Sequence, residues 1–328
     1  MTSTLDVHQI SSEIRAAGRD LGFDRIGITT AEPSRYRDYF RQWLDDGQSG
    51  SMEYLSARFA ERVDPGIYLP DAASVICVAV NYFPKTSPDL PVDHGRIARY
   101  ALGEDYHRWM TPRLHVLADR LRAIAPEAGT KCCVDTAPVM EKELAARAGI
   151  GWMGKNTCVI DEGIGSWLLL GEIITTLKLP ADQPAIDRCG SCRRCIDACP
   201  TGAITEPYRL DARKCISYLT IEHRSEIAEG LQRQMGDWLY GCDVCQEVCP
   251  FNRKAPETEI SEFAVRFDGS VNLESVLNWT DADYAESLRH SAMKRVKLPM
   301  LKRNAEIVRK NRGEKSFHHG DTEVTEGE

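Results

Sequence analysis

Residues 189–250 constrain this chain more than any other stretch. Cys189-Gly-Ser-Cys192-Arg-Arg-Cys195-Ile-Asp-Ala-Cys199-Pro200 has the spacing with which bacterial ferredoxins ligate iron–sulfur clusters, the fourth Cys going to the neighbouring cluster. A second set follows: Cys215, then Cys242-Asp-Val-Cys245-Gln-Glu-Val-Cys249-Pro250. Together they supply the thiolates for two 4Fe-4S cubanes. By the crossed logic of two-cluster ferredoxins, Cys189, Cys192 and Cys195 share one cluster with Cys249, and Cys199 joins Cys215, Cys242 and Cys245 on the other. That exchange keeps the clusters close enough to pass electrons. Structural zinc also uses paired C-x2-C spacing. A zinc ribbon, however, has no need of the further cysteines in each run or of Pro after both terminal ligands.

At 328 residues, length suggests about two domains. A net charge of -8 argues against a surface that is basic everywhere, but it leaves room for a local nucleic-acid patch. The opening Met-Thr-Ser-Thr-Leu-Asp lacks a basic n-region and a long apolar h-region, so no signal peptide is expected. No window approaches about 18 uncharged apolar residues, and no membrane span is expected either. The cysteines therefore indicate metal ligation in a reducing cytosol rather than a disulfide framework.

Apolar residues at helical intervals predict helices over 7–21, 35–46, 106–124 and 139–148. Tyr39, Phe40 and Trp43 of the second are assigned to the core. Strands are predicted at 25–29, 73–83, 131–134 and 165–176, the 73–83 run being Val- and Ile-rich as in a central strand, with Cys77 an inert buried thiol. Residues 84–96 and 256–272 read as loops. Gly149-Ile-Gly-Trp-Met-Gly-Lys-Asn156 is a glycine-rich loop that allows close approach of a ligand or another segment; it fits neither a Walker loop nor a dinucleotide fingerprint. Thr201-Gly202-Ala203-Ile204 reads as a turn into a short strand. Helical patterns follow at 273–279, 282–289 and 292–310, with Pro299 as a kink or junction, and the tail after 315 is expected to be disordered.

A ferredoxin module fused to a folded domain implies that low-potential electrons go to a second centre, for which flavin, nicotinamide and corrinoid are the candidates. The missing dinucleotide fingerprint weakens nicotinamide. The C-x3-C-x2-C order of radical adenosylmethionine enzymes is absent, and so is the corrinoid D-x-H-x-x-G motif. Composition and spacing reach an iron–sulfur oxidoreductase whose partner cofactor is unnamed.

Five motifs carry a resemblance that goes further. Arg99-Tyr-Ala-Leu-Gly-Glu-Asp-Tyr-His107, Val134-Asp-Thr-Ala-Pro-Val-Met-Glu141, Gly151-Trp-Met-Gly-Lys-Asn156, Cys215-Ile-Ser-Tyr-Leu-Thr-Ile-Glu222 and Gly241-Cys-Asp-Val-Cys-Gln-Glu-Val-Cys-Pro-Phe-Asn252 resemble the epoxyqueuosine reductase family, over roughly residues 10–312. The resemblance implies an α+β chain. Its parts would be an α/β-type corrinoid-binding domain over 1–180, related to that of reductive dehalogenases, a two-cluster ferredoxin-like module over 181–255, and a short helical-repeat domain over 256–315 that contacts tRNA. It further implies a cytoplasmic, monomeric, cobalamin-dependent enzyme fed by an external low-potential donor. The substrate would be tRNA carrying epoxyqueuosine in its anticodon loop, with one- and two-electron opening of the epoxide both available.

The same resemblance makes Asp135 the proton donor; read alone, an Asp before Thr-Ala-Pro would be a turn or cap residue. Arg58, Arg99, Tyr106, Lys155, Asn156 and Thr220 are expected, with Asp135, around the corrin or substrate, although each could serve as an ordinary structural polar residue. Glu222 is expected to face the reaction chamber at the tRNA. Lys294, Arg295, Lys297, Lys302 and Arg303 are expected to contact phosphates, against the alternative of a basic helix face serving solubility. His107 and His223 invite assignment as cobalt ligands, but the resemblance requires no protein ligand on cobalt. Two other classes remain: a corrinoid-dependent dehalogenase or small-molecule reductase, which would turn over without tRNA, and an iron–sulfur electron carrier, which would not bind cobalamin.

Overall fold

In the computed structural model the backbone is described for residues 6–84, 90–266 and 269–318, and side chains to residue 313. The strands are β1 (Arg25–Thr30), β2 (Ser74–Asn81), β3 (His94–Ile97), β4 (Thr130–Cys133), β5 (Trp152–Met153), β6 (Val159–Ile160), β7 (Leu168–Thr175), β8 (Ile204–Glu206), β9 (Arg209–Leu210), β10 (Trp238–Tyr240) and β11 (Ser270–Asn272). The main sheet has the order β1-β2-β7-β4, and each of its pairs is antiparallel. Alternating strands and helices thus build an α+β domain and not a parallel sheet.

All eight residues of β2 are buried, because helices cover both faces of its sheet. Ile76, Val78 and Val80 pack beneath the helices Val7–Asp20 and Tyr106–Ile124. The first of these begins at Asp6, whose carboxylate accepts from the His8 and Gln9 amides, and turns Ile10, Ile14 and Ala17 inward. Val75, Cys77 and Ala79 face the opposite way, against the helix Glu141–Arg147. This helix sits so close that a Cβ on Gly27 of β1 would lie 2.0 Å from the Ala148 carbonyl oxygen. Only glycine permits that approach, which fixes the helix on the sheet and, with it, the loop that enters the helix from β4.

The segments expected to be loops contain pairing strands. β3 and β11 pair antiparallel, β10 pairs parallel with β3, and the resulting sheet ties the N-terminal part, the cysteine-rich part and the C-terminal part together. A second core under this sheet gathers Ile97, Leu239, Val271, Leu301 and Ala305 from all three. The expected helix at 292–310 is two elements: a short turn Ala292–Arg295, then a helix Leu298–His318 with Pro299 in its first turn, where no amide hydrogen is needed. That helix extends past 315, and the rest of the expected tail lies outside the described residues. No described helix is long and apolar enough to cross a membrane.

Candidate active site

Short helices hold the cysteines. The helices Arg194–Asp197 and Val244–Glu247 pack together, and each carries one Cys within it and leads to another beyond its end. The charges these thiols exert on one another sort them into two sets. Cys195 feels Cys189 and Cys249, and Cys249 feels Cys189 and Cys192. Cys215 feels Cys199, Cys242 feels Cys215 and Cys199, and Cys245 feels Cys242 and Cys215. The Ala203 amide donates to the Cys199 sulfur at 3.3 Å, the kind of bond that tunes a cluster. A ninth thiol, Cys158, lies within hydrogen-bond reach of Cys245 and was not singled out by spacing.

Asp135 follows β4 in a left-handed backbone conformation, φ 44°, with its side chain 55% exposed. Asp is among the residues that accept this conformation. His107 points Nε2 toward its carboxylate at 3.8 Å, while Asp105 accepts from His107 Nδ1 at 2.8 Å. That bond is the main cause that raises the His107 pKa, so the imidazolium is favoured next to Asp135. The Tyr106 hydroxyl also faces Asp135. His107 Nδ1 is occupied by Asp105, and its Nε2 lies near the Asp135 carboxylate without a hydrogen bond to it. His223 is bound to the Glu226 carbonyl through Nε2 at 2.9 Å, away from any ligand role.

The other expected cofactor residues are placed differently. Arg99 donates to Asp243 at 3.3 Å and Glu247 at 2.6 Å, and its guanidinium lies over the Trp167 ring. It clamps the helix between Cys242 and Cys249 onto the main domain. Burial raises Asp243 to about 6, against the pull of Arg99. Lys155 donates to the carbonyls of Gly190 and Cys192, and the Asn156 amide to that of Cys245 at 3.3 Å. Both secure cluster loops. Thr220 is fully buried; its hydroxyl donates to Ile216 and accepts from the Gly241 amide at 2.9 Å, so it presents nothing to a cofactor. Arg58 pairs with Glu61 and stacks on Tyr68. The glycine loop serves packing: a Cβ on Gly151 would lie 2.4 Å from the Ile160 carbonyl oxygen.

A cavity of about 830 Å³ does open beside these elements, and none of the seven residues expected around the corrin lines it. Its walls include Tyr36, Tyr39, Phe40 and Trp43, so the aromatics assigned to the core also face open space. Met140 and Glu141, just past Asp135, form one side; Thr157, between Asn156 and Cys158, forms another. Arg35, Arg62 and Arg209 add cationic donors. Aromatic walls with a few cations suit a flat apolar macrocycle that carries amides and a phosphate, in the volume range of cofactor sites. The cavity runs from Val139–Glu143, past the acid loop, to the hairpin Glu206–Leu210 of the cluster module. The residues present fit cobalamin.

The C-terminal segment comes near Asp135. Arg295 is bidentate to Glu222 at 2.9 and 3.1 Å, and its charge is felt at Tyr54 and Asp135. The two are therefore partners of each other, with the Arg295 side chain half exposed. Arg303 is half-buried and donates to the carbonyls of Leu219, His223 and Ser225, so it is structural and not a phosphate contact. Lys294 and Lys297 are exposed and Lys302 is half-buried. Tyr54, Arg62, Glu141 and Glu172 went unassigned in the sequence. The signal for Glu172 was a lone acid within an apolar strand.

A family model described as the 4Fe-4S double cluster binding domain matches residues 188–252, and one described as epoxyqueuosine reductase QueG, DUF1730, matches residues 62–136. The chain is 42% identical over 296 residues to the epoxyqueuosine reductase of Xanthomonas campestris, covering 88% of this chain and 83% of that one. It is 39% identical over 305 residues to that of Leadbetterella byssophila, covering 91% and 98%. A crystal structure of epoxyqueuosine reductase with an epoxyqueuosine-modified tRNA-Tyr stem loop superposes with a TM-score of 0.87 at 31% identity, over 95% of this chain and 84% of that one. A Bacillus subtilis epoxyqueuosine reductase, with its catalytic aspartate loop swung out of the active site, gives 0.87 at 29%, over 97% and 87%. With its cluster cysteines, its acid loop and these relatives taken together, the chain belongs to the epoxyqueuosine reductase family.

Proposed function

We propose that this chain reduces the epoxide of epoxyqueuosine, carried in a tRNA anticodon loop, to the alkene of queuosine, and that Asp135 is the proton donor. The observation that carries this reading is the setting of Asp135. It stands just past β4 with His107 and Tyr106 beside it, its backbone amide faces Glu141, which borders the cavity, and it lies within reach of the charge of Arg295. A solved relative that holds an epoxyqueuosine-modified stem loop supports the substrate, and the catalytic aspartate loop of another supports the acid.

Cobalamin, when bound, supplies a low-potential metal centre that delivers electrons to the epoxide, with the two clusters as its electron supply. The cavity residues would hold it: Tyr36, Tyr39 and Trp43 would supply apolar aromatic surface, and Arg35, Arg62 and Arg209 donors for its amides and phosphate. Asp135 gives a proton to the epoxide oxygen as the ring opens, which prevents charge from building on that oxygen. His107, held by Asp105, stands beside that carboxyl. Arg295 and Glu222 border the entry, and Lys294 and Lys297 hold the phosphates of a loop whose modified base is unstacked into the chamber.

Asp135→Asn is expected to retain cobalamin and tRNA binding and to lose about 10²–10⁴-fold in turnover, the usual range for a general acid. Full turnover by that variant, read by nucleoside mass spectrometry, would remove the assignment.

A further inference from the structure

Reducing an epoxide to an alkene consumes two protons and releases water, while one carboxyl holds a single proton. We propose that Glu141 and Glu172 form a buried proton reserve behind Asp135 and hold the second proton of the reaction. The inference rests on the function proposed above.

Glu172 sits in the middle of β7, fully buried, and neither carboxylate oxygen has a hydrogen-bond partner among the described residues. In register it is flanked by Cys77 of β2 and Cys133 of β4, both buried thiols. The helix Glu141–Arg147 covers this face through Leu144, Ala145 and Ala148, and at its start the Glu141 carboxylate faces the Asp135 backbone amide. The charges that act on Glu172 are those of Glu141 and Asp135, both negative. The cations of the surrounding elements act on its neighbours: Lys142 and Arg62 on Glu141, Arg147 on Cys77, and Lys131 on Cys133. Burial therefore holds Glu172 protonated, and burial with the Asp135 charge raises Glu141 to about 7. A buried carboxyl without a partner costs stability that an apolar side chain would not. A purely structural role leaves its presence under the acid loop without a reason.

The balance is as follows. As the first C–O bond opens, its electron pair goes to oxygen and the Asp135 proton follows. The Asp135 carboxylate then takes the Glu141 proton and passes it to the hydroxyl as the second C–O bond breaks, so that water leaves and the alkene forms. The electrons are those of the family's reductive chain. Two protons then return from solvent through Glu141, one to Asp135 and one to Glu141 itself, and Glu172 lends its proton to Glu141 only while that site is empty. Neither glutamate touches the reacting atoms; both act through Asp135.

The test uses the full chain loaded with clusters and cobalamin. Infrared pH titration of the wild type should show a protonated-carboxyl band that persists to about pH 8 and is lost in Glu172→Gln, and a second that titrates near 7 and is lost in Glu141→Gln. Glu172→Gln should match wild-type turnover near about pH 6, where solvent reloads Glu141, and fall about tenfold below it near about pH 8. A wild-type pH profile in both variants, or no loss of either band, would overturn the reserve. Should Glu172→Gln not accumulate as folded protein, Glu141→Gln, at a less buried site, carries both readouts alone. Failure of the wild type itself to convert modified tRNA would instead overturn the underlying function, and this role with it.

Discussion

Asp135 shows how much of a residue's meaning is tertiary. Its backbone conformation, φ 44°, suits the turn residue that its neighbours Thr136, Ala137 and Pro138 suggest. What makes it a candidate acid is the approach of His107 and Tyr106 from a helix that precedes it by nearly thirty residues. Glu141 and Glu172 are the same case: one lies in a helix and the other in an apolar strand, and only the packing of that helix on the sheet unites them. Glu141 also makes a stability prediction with a definite sign. Its folded pKa, about 7, lies above its unfolded value of 4.5, so folding favours the protonated form. The stability this gives is fully present below about pH 4.5 and is lost as pH rises through 7. Glu141→Gln should therefore gain on the wild type across that window, by at most about 3 kcal/mol above neutrality. Urea midpoints at a series of pH values test this; parallel curves would contradict it.

At the scale of elements, the C-terminal basic run divides into two roles that sequence alone treated as one patch. Helical periodicity turns Arg303 and Asn304 inward. Arg303 closes the carbonyls beyond the helix Ile216–Ile221, and fully buried Asn304 donates to Thr220 at 2.9 Å and Leu239 at 3.1 Å. These bonds hold the Cys215 helix and β10 on the helix Leu298–His318. Asn304→Ala should cost about 2–3 kcal/mol by leaving buried carbonyls unpaired, read as a lower urea midpoint. Lys294 and Lys297 are the exposed members. Lys294→Glu with Lys297→Glu should leave stability unchanged while tRNA affinity and its salt slope both fall. An unchanged slope would place the phosphates elsewhere.

Over the whole molecule, the features read most directly from sequence are those fixed by short spacing. Cluster ligands three or four residues apart lie on one turn and announce themselves. The sheet β10-β3-β11 does not, because its strands come from three distant segments with only two to four paired residues each, too short for an alternation pattern. The cavity was hidden for the same reason: its aromatics follow a core-like helical pattern, and its far wall is the β8–β9 hairpin of the cluster module. The crossing of ligands between clusters is testable at this scale. Cys199→Ser should perturb the same cluster signal in electron paramagnetic resonance as Cys215→Ser, and Cys249→Ser the same as Cys189→Ser. An uncrossed module would couple Cys199 to Cys189.

The most direct measurement is conversion of epoxyqueuosine-bearing tRNA by the anaerobic, cluster-loaded chain with a chemical reductant, followed by nucleoside mass spectrometry with and without cobalamin. Cobalamin-dependent loss of one oxygen from the modified nucleoside, abolished in Asp135→Asn, is the predicted result. No conversion by protein carrying both clusters and bound cobalamin would contradict the account.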